Sequence, residues 1–80
     1  METRVAVIAI IVENPAEVET LNAILHEFAD YIIGRVGIPY RQKGINIITV
    51  AVDAPQNLIS AMSGRIGRLE GITAKATYSK

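Results

Sequence analysis

Arg4-Val5-Ala6-Val7-Ile8-Ala9-Ile10-Ile11-Val12 and Ile45-Asn46-Ile47-Ile48-Thr49-Val50-Ala51-Val52 are the two stretches whose reading decides the fold. Successive side chains of a pleated strand point to opposite faces, so Ala6, Ile8, Ile10 and Val12 share one side of the first run and Val5, Val7, Ala9 and Ile11 the other. Both sides are apolar, the pattern of a strand that is covered on two faces. In the second run Ile48, Val50 and Val52 fall on one side, and Ile47, Thr49 and Ala51 on the other. A chain of 80 residues has room for about two helices, enough to cover one face of a sheet. The other face is expected to find its cover on a second copy of the chain.

Working outward, the two runs belong to a half-chain repeat. Sliding the sequence by 40 positions sets Val12-Glu13-Asn14-Pro15 on Val52-Asp53-Ala54-Pro55, and Ile8 and Ile10 on Ile48 and Val50. In each half an apolar strand ends at a carboxylate, a proline follows two residues later, and helical periodicity begins. Proline has no N–H to leave unpaired in a first helical turn, and an acid there meets the positive end of the dipole, so Glu13 and Asp53 read as helix-start residues. The spacing predicts a helix over residues 15–27 with Val18, Leu21, Ile24, Leu25 and Phe28 inward and Glu19, Asn22 and His26 toward water. A second is predicted over residues 55–66 with Leu58, Ile59, Met62 and Ile66 inward and Gly67 as a left-handed stop. Residues 31–38 read as a strand interrupted by Gly34 and Gly37, and residues 72–78 as a last strand whose polar side is Thr73, Lys75 and Thr77.

The element order is therefore βαββαβ, an α+β chain of the ferredoxin-like kind: a four-stranded antiparallel sheet with two helices on one face, read as one domain over residues 1–80. Right-handed crossovers put the two apolar strands at the centre and the glycine-bearing and alternating strands at the edges. Ala6, Ile8, Ile10, Val12, Ile48, Val50 and Val52 then face the helices. Val5, Val7, Ala9, Ile11, Ile47, Thr49 and Ala51 form the open face and the expected interface of a homo-oligomer, a dimer or tetramer.

Composition narrows the function more than it names it. Half the residues are hydrophobic, formal net charge is zero, and no Lys/Arg cluster follows a helix or strand, so direct nucleic-acid binding is not expected. Without cysteine there are no disulfides or thiolate metal sites, which fits a cytoplasmic chain. The apolar run of residues 5–12 is too short to span a bilayer and lacks a cleavage signal, so no membrane association is expected. His26 with Glu19 and Asn22 could be drawn as a metal site, but a solvated helix face explains the trio better, because a transition metal wants three or four strong ligands. Glu13 and Asp53 could be a carboxylate pair, yet the repeat already accounts for both. No Ser-His-Asp set or phosphate-cradling loop is present, so neither an enzyme nor a cofactor is expected.

The odd stretch is residues 31–44, with two tyrosines, three basic residues and four glycines or prolines among its turns. One reading is an irregular edge strand and a solvated loop. The other is a pocket wall, with Arg35 or Arg41 pairing a small acid or a partner's carboxylate and Tyr40 giving flat contact area. Arg65 and Arg68 read as cations at the negative end of the second helix.

These residues also carry a resemblance. Leu21-Asn22-Ala23-Ile24-Leu25-His26-Glu27, Gly34-Arg35-Val36-Gly37-Ile38-Pro39-Tyr40, Asp53-Ala54-Pro55-Gln56 and Ala61-Met62-Ser63-Gly64 resemble the small iron-only hydrogenase system regulator family over nearly the whole chain. That resemblance implies a regulatory or accessory role. The fold is similar to the ACT regulatory domain and to the ligand domain of the nickel-responsive repressor, which associate through their sheets and bind small effectors near subunit interfaces. The nickel site does not carry over, because His26 is the only histidine and cysteine is absent; nor does the ACT glycine, since Glu13-Asn14-Pro15-Ala16 has none. With no DNA-binding segment expected ahead of Arg4, such a regulator would act through a protein partner or through a DNA-binding protein in trans, and the partners expected beside a second copy are a small effector or a regulator or maturation protein. The alternatives are an accessory protein that binds a partner chain without a small ligand, and a small enzyme with its site between subunits.

Overall fold

Alternation and β-branching make strands of the two apolar runs, and burial sets their place. In the computed structural model, which describes residues 2–80, β1 (Arg4–Val12) and β3 (Ile45–Ala54) pair antiparallel at the centre of one four-stranded sheet. β2 (Ile32–Tyr40) lies outside β3 and β4 (Ile72–Tyr78) outside β1, giving the order β2-β3-β1-β4. Helices α1 (Val18–Glu27) and α2 (Gln56–Gly67) complete the βαββαβ sequence, so the fold is ferredoxin-like α+β as the periodicity predicts.

The register locks the alternation. Ile8 pairs with Val50 and Ile10 with Ile48, and all four are buried together with Ala6, Val12 and Val52. Leu21, Ile24 and Leu25 of α1 and Ile59, Met62 and Ile66 of α2 close over them, with Val18, Phe28 and Leu58 packed at the margin. No polar or charged side chain is buried among the described residues, so the core is held by apolar burial at about 1.5–3 kcal/mol per large side chain. Residues separated by 40 in the repeat meet at one point of the sheet: Ala9 pairs directly with Thr49. A local two-fold axis therefore passes between them and relates the two halves of the chain.

Several termini differ from the expectation, each for a local reason. Residues Pro15–Glu17 form a 3-10 turn ahead of α1, and its cap is Asn14, whose Oδ1 accepts from the Ala16 N–H at 3.1 Å; Glu13 is not the cap. Asp53 remains within β3, with Pro55 at the N-cap of α2 and no side-chain cap bond. The left-handed glycine comes later than Gly67: α2 runs through Gly67, and Gly71 carries φ +76°. There the Gly71 carbonyl accepts from the Glu13 N–H at 2.7 Å, tying the start of β4 to the end of β1. β2 begins after a 3-10 turn, Ala29–Tyr31, and extends past Gly37 to Tyr40. Pro39 is tolerated there because β2 is an edge, where a missing N–H breaks no second ladder. Arg65 is more than a dipole cation, since it pairs with Glu27 at 2.6 Å and lies over the Phe28 ring, tying α2 to the end of α1.

Candidate functional site

Two surfaces carry chemistry, one on each side of β2. The first follows from a mismatch of lengths. A ten-residue helix such as α1 is about 15 Å long, whereas nine strand residues reach about 30 Å, so α1 cannot cover β2. Of β2 only Ile32 is half-buried, and a groove runs between the strand and α1. Arg35 pairs with the buried Val50 and so points to the helix side, where its guanidinium donates to Asn22 Oδ1 at 3.4 Å. This contact divides the groove into two cavities. One, of about 300 Å³, is lined by Leu25, His26 and Ile32 with the Arg35–Asn22 pair. The other, of about 280 Å³, is lined by Val18, Gly37, Pro39, Asn46 and Ile48 with the same pair. No carboxylate lines either cavity. Gly37 meets nothing within 4 Å of where a Cβ would stand, so the missing side chain is open groove.

The second surface is the uncovered sheet face. Its central positions are Val5, Val7, Ala9 and Ile11 on β1, opposite Asp53, Ala51, Thr49 and Ile47 on β3. On the β2 side, Val36 and Ile38 extend the apolar area; on the β4 side, Thr73, Lys75 and Thr77 border it. Val5, Val7, Val36 and Ile38 are 42–58% exposed, high for large aliphatic side chains.

The three residues grouped as a pocket wall are not brought together. Arg35 faces the groove, whereas Tyr40 pairs with Ile45 on the open side and donates its hydroxyl to Gln42 Oε1 at 2.8 Å. Arg41 sits exposed in the hairpin turn Arg41–Lys43. Asn46 was legible as a polar residue at an inward position of an otherwise apolar strand, and Asn22 and His26 as neighbours on the water face of α1. Among the described residues, no three of His, Cys, Asp and Glu gather closely enough to hold a metal. No described helix is long and apolar enough to cross a membrane.

A βαββαβ sheet with both helices on one face, an uncovered apolar face on the other and an edge-strand groove defines a small ferredoxin-like α+β domain. More particularly, residues 4–76 match the family model "TM1266-like: Iron-only hydrogenase system regulator, putative", and the chain belongs to that family. The structure of uncharacterized protein TM1266 from Thermotoga maritima is 30% identical, with a TM-score of 0.94 over 99% of this chain and 100% of that one. A formyltetrahydrofolate deformylase from Pseudomonas putida KT2440 shares the fold at TM-score 0.65 and 15% identity, over 91% of this chain and 28% of that one. A nitrogen regulatory PII-like protein from Thiomonas intermedia K12 aligns at TM-score 0.48 and 13% identity over 100% of both chains, too loosely to carry an argument. No curated protein matches the chain significantly.

Proposed function

We propose that this chain is a regulatory module of an iron-only hydrogenase system that self-associates through its open sheet face and responds to a small effector. The observation that carries the reading is the continuous apolar face built by Val5, Val7, Ala9, Ile11, Ile47, Thr49 and Ala51 with Val36 and Ile38. Four strands of seven to ten residues give a face about 19 Å by 30 Å, so two stacked copies bury on the order of 1,100 Å², past the roughly 1,000 Å² a specific interface needs. Charge stands at the margin, with Lys75 on the β4 edge and Asp53 at the end of β3, the apolar-centre and polar-rim anatomy of interfaces. A second copy offers the same arrangement and so is its natural occupant.

Light scattering on a size-exclusion column at micromolar concentration is expected to give at least twice the 8.7 kDa of one chain. Val7→Lys places a charge in the middle of the face and should return the mass to that of a monomer while the circular dichroism spectrum is retained. A wild-type monomer would refute the interface; a monomer that instead captures a hydrogenase maturation protein would favour the accessory role.

A further inference from the structure

We propose that the groove between α1 and β2 is a binding site for a small carboxylate with a short apolar body, gripped by Arg35. The inference deepens the effector-responsive reading but uses a different surface from the proposed interface. Its first support is an underused cation. The described residues contain one salt bridge, Arg65–Glu27, so Arg35 has no carboxylate partner. Its hydrogen-bond partner is the neutral amide oxygen of Asn22 at a long 3.4 Å, which leaves most of the five guanidinium donors free. A planar fork of this kind matches a carboxylate in two parallel bonds and favours it over a neutral amide.

The second support is the setting. Arg35 stands where two cavities of about 300 and 280 Å³ meet, each with an apolar floor, Leu25 and Ile32 in one and Ile48 in the other. Such volumes suit a small molecule. The polar groups that line them with Arg35, namely Asn22, His26 and Asn46, are free of negative charge, so an entering carboxylate meets attraction and no repulsion. On binding, the Arg35 guanidinium exchanges the Asn22 oxygen for the carboxylate. The Asn22 amide N–H₂ can then donate to the same anion, and the apolar body lies in one cavity. Gly37 keeps that space open.

The test is a titration of the full chain with benzoate, followed by amide chemical shifts, with benzamide and inorganic phosphate as comparison probes. Benzoate is expected to bind saturably in the millimolar range and to shift Asn22, His26, Gly37 and Asn46. Arg35→Gln should weaken it by about tenfold or more, as should replacing benzoate by benzamide, because a charge-assisted pair is lost in both. Gly37→Val is the second variant: it leaves the charge in place, meets nothing within 4 Å of its new Cβ, and should block binding by filling the groove. Equal binding of benzoate and benzamide, unaltered binding to Arg35→Gln, shifts confined to other surfaces, tighter binding of phosphate than of benzoate, or no saturable binding would each overturn the proposal. The mass from light scattering does not depend on this result, so the site and the interface fail separately.

Discussion

Gly71→Ala, compared with Gly44→Ala, tests how the ends of β1 and β4 are joined. Both glycines are left-handed, at φ +76° and +65°, so an added Cβ costs each about 1–2 kcal/mol in backbone strain alone. At Gly44 that is the whole cost, since nothing lies within 4 Å of the new atom. At Gly71 the Cβ would stand 2.4 Å from the Asn14 Cβ and 3.2 Å from its backbone N, so the turn after β1 must move. Moving it strains the bond from the Glu13 N–H to the Gly71 carbonyl and the Asn14 cap on Ala16, each worth about 1 kcal/mol. The totals are about 3–4 kcal/mol for Gly71→Ala and about 1–2 for Gly44→Ala. At about 4–8 °C per kcal/mol for a domain of this size, Tm should fall by roughly 12–32 °C in the first and roughly 4–16 °C in the second. Thermal unfolding followed by circular dichroism at one fixed protein concentration measures both, so that the proposed self-association would affect the two variants alike. Equal melting of the two variants would refute the packing argument at Asn14.

Two further outcomes follow from the core and the helix pair. Ile10→Ala removes a fully buried side chain at the centre of the sheet and should cost about 2–5 kcal/mol in urea unfolding, against less than about 0.5 kcal/mol for Ile33→Ala, whose side chain is 63% exposed. Glu27→Gln removes the partner of Arg65, but both side chains are 41–55% exposed, so the loss should stay below about 1 kcal/mol and shrink further in 1 M salt.

Most of this fold can be read from strand parity. In β1 and β3 both parities are apolar, so the pattern says that two faces want cover, the two helix stripes supply cover for one, and burial shows that Ala6, Ile8, Ile10 and Val12 receive it. β4 alternates cleanly and its limits are as the sequence predicts. β2 was harder, because Pro39 argues against a strand and only the lack of an outer neighbour makes it harmless. That shortened reading hid the geometry of the candidate site. Arg35 and Tyr40 are an odd number of residues apart, so one strand running through both sends them to opposite faces. The carbonyl–amide tie between Gly71 and Glu13 was also out of reach, since it joins positions 58 apart that no local pattern connects. Asn14 won the cap from Glu13 because a short amide reaches the N–H two residues on from within its own turn.

The local two-fold axis between Ala9 and Thr49 has a bearing on assembly. Because that axis carries one half of the sheet onto the other, a second copy laid on the open face meets nearly the same backbone in two poses, half a turn apart. Backbone shape is therefore a poor guide to docking, and the choice falls to side chains that break the symmetry. Val36, opposite Thr49, and Lys75, opposite Ala9, occupy matching places at the two edges. One is oily and the other charged, and Ile38 and Thr77 differ in the same sense, so in the proposed dimer a scaffold that is ambiguous by construction would take its preferred way round from the unlike residues of its two edges.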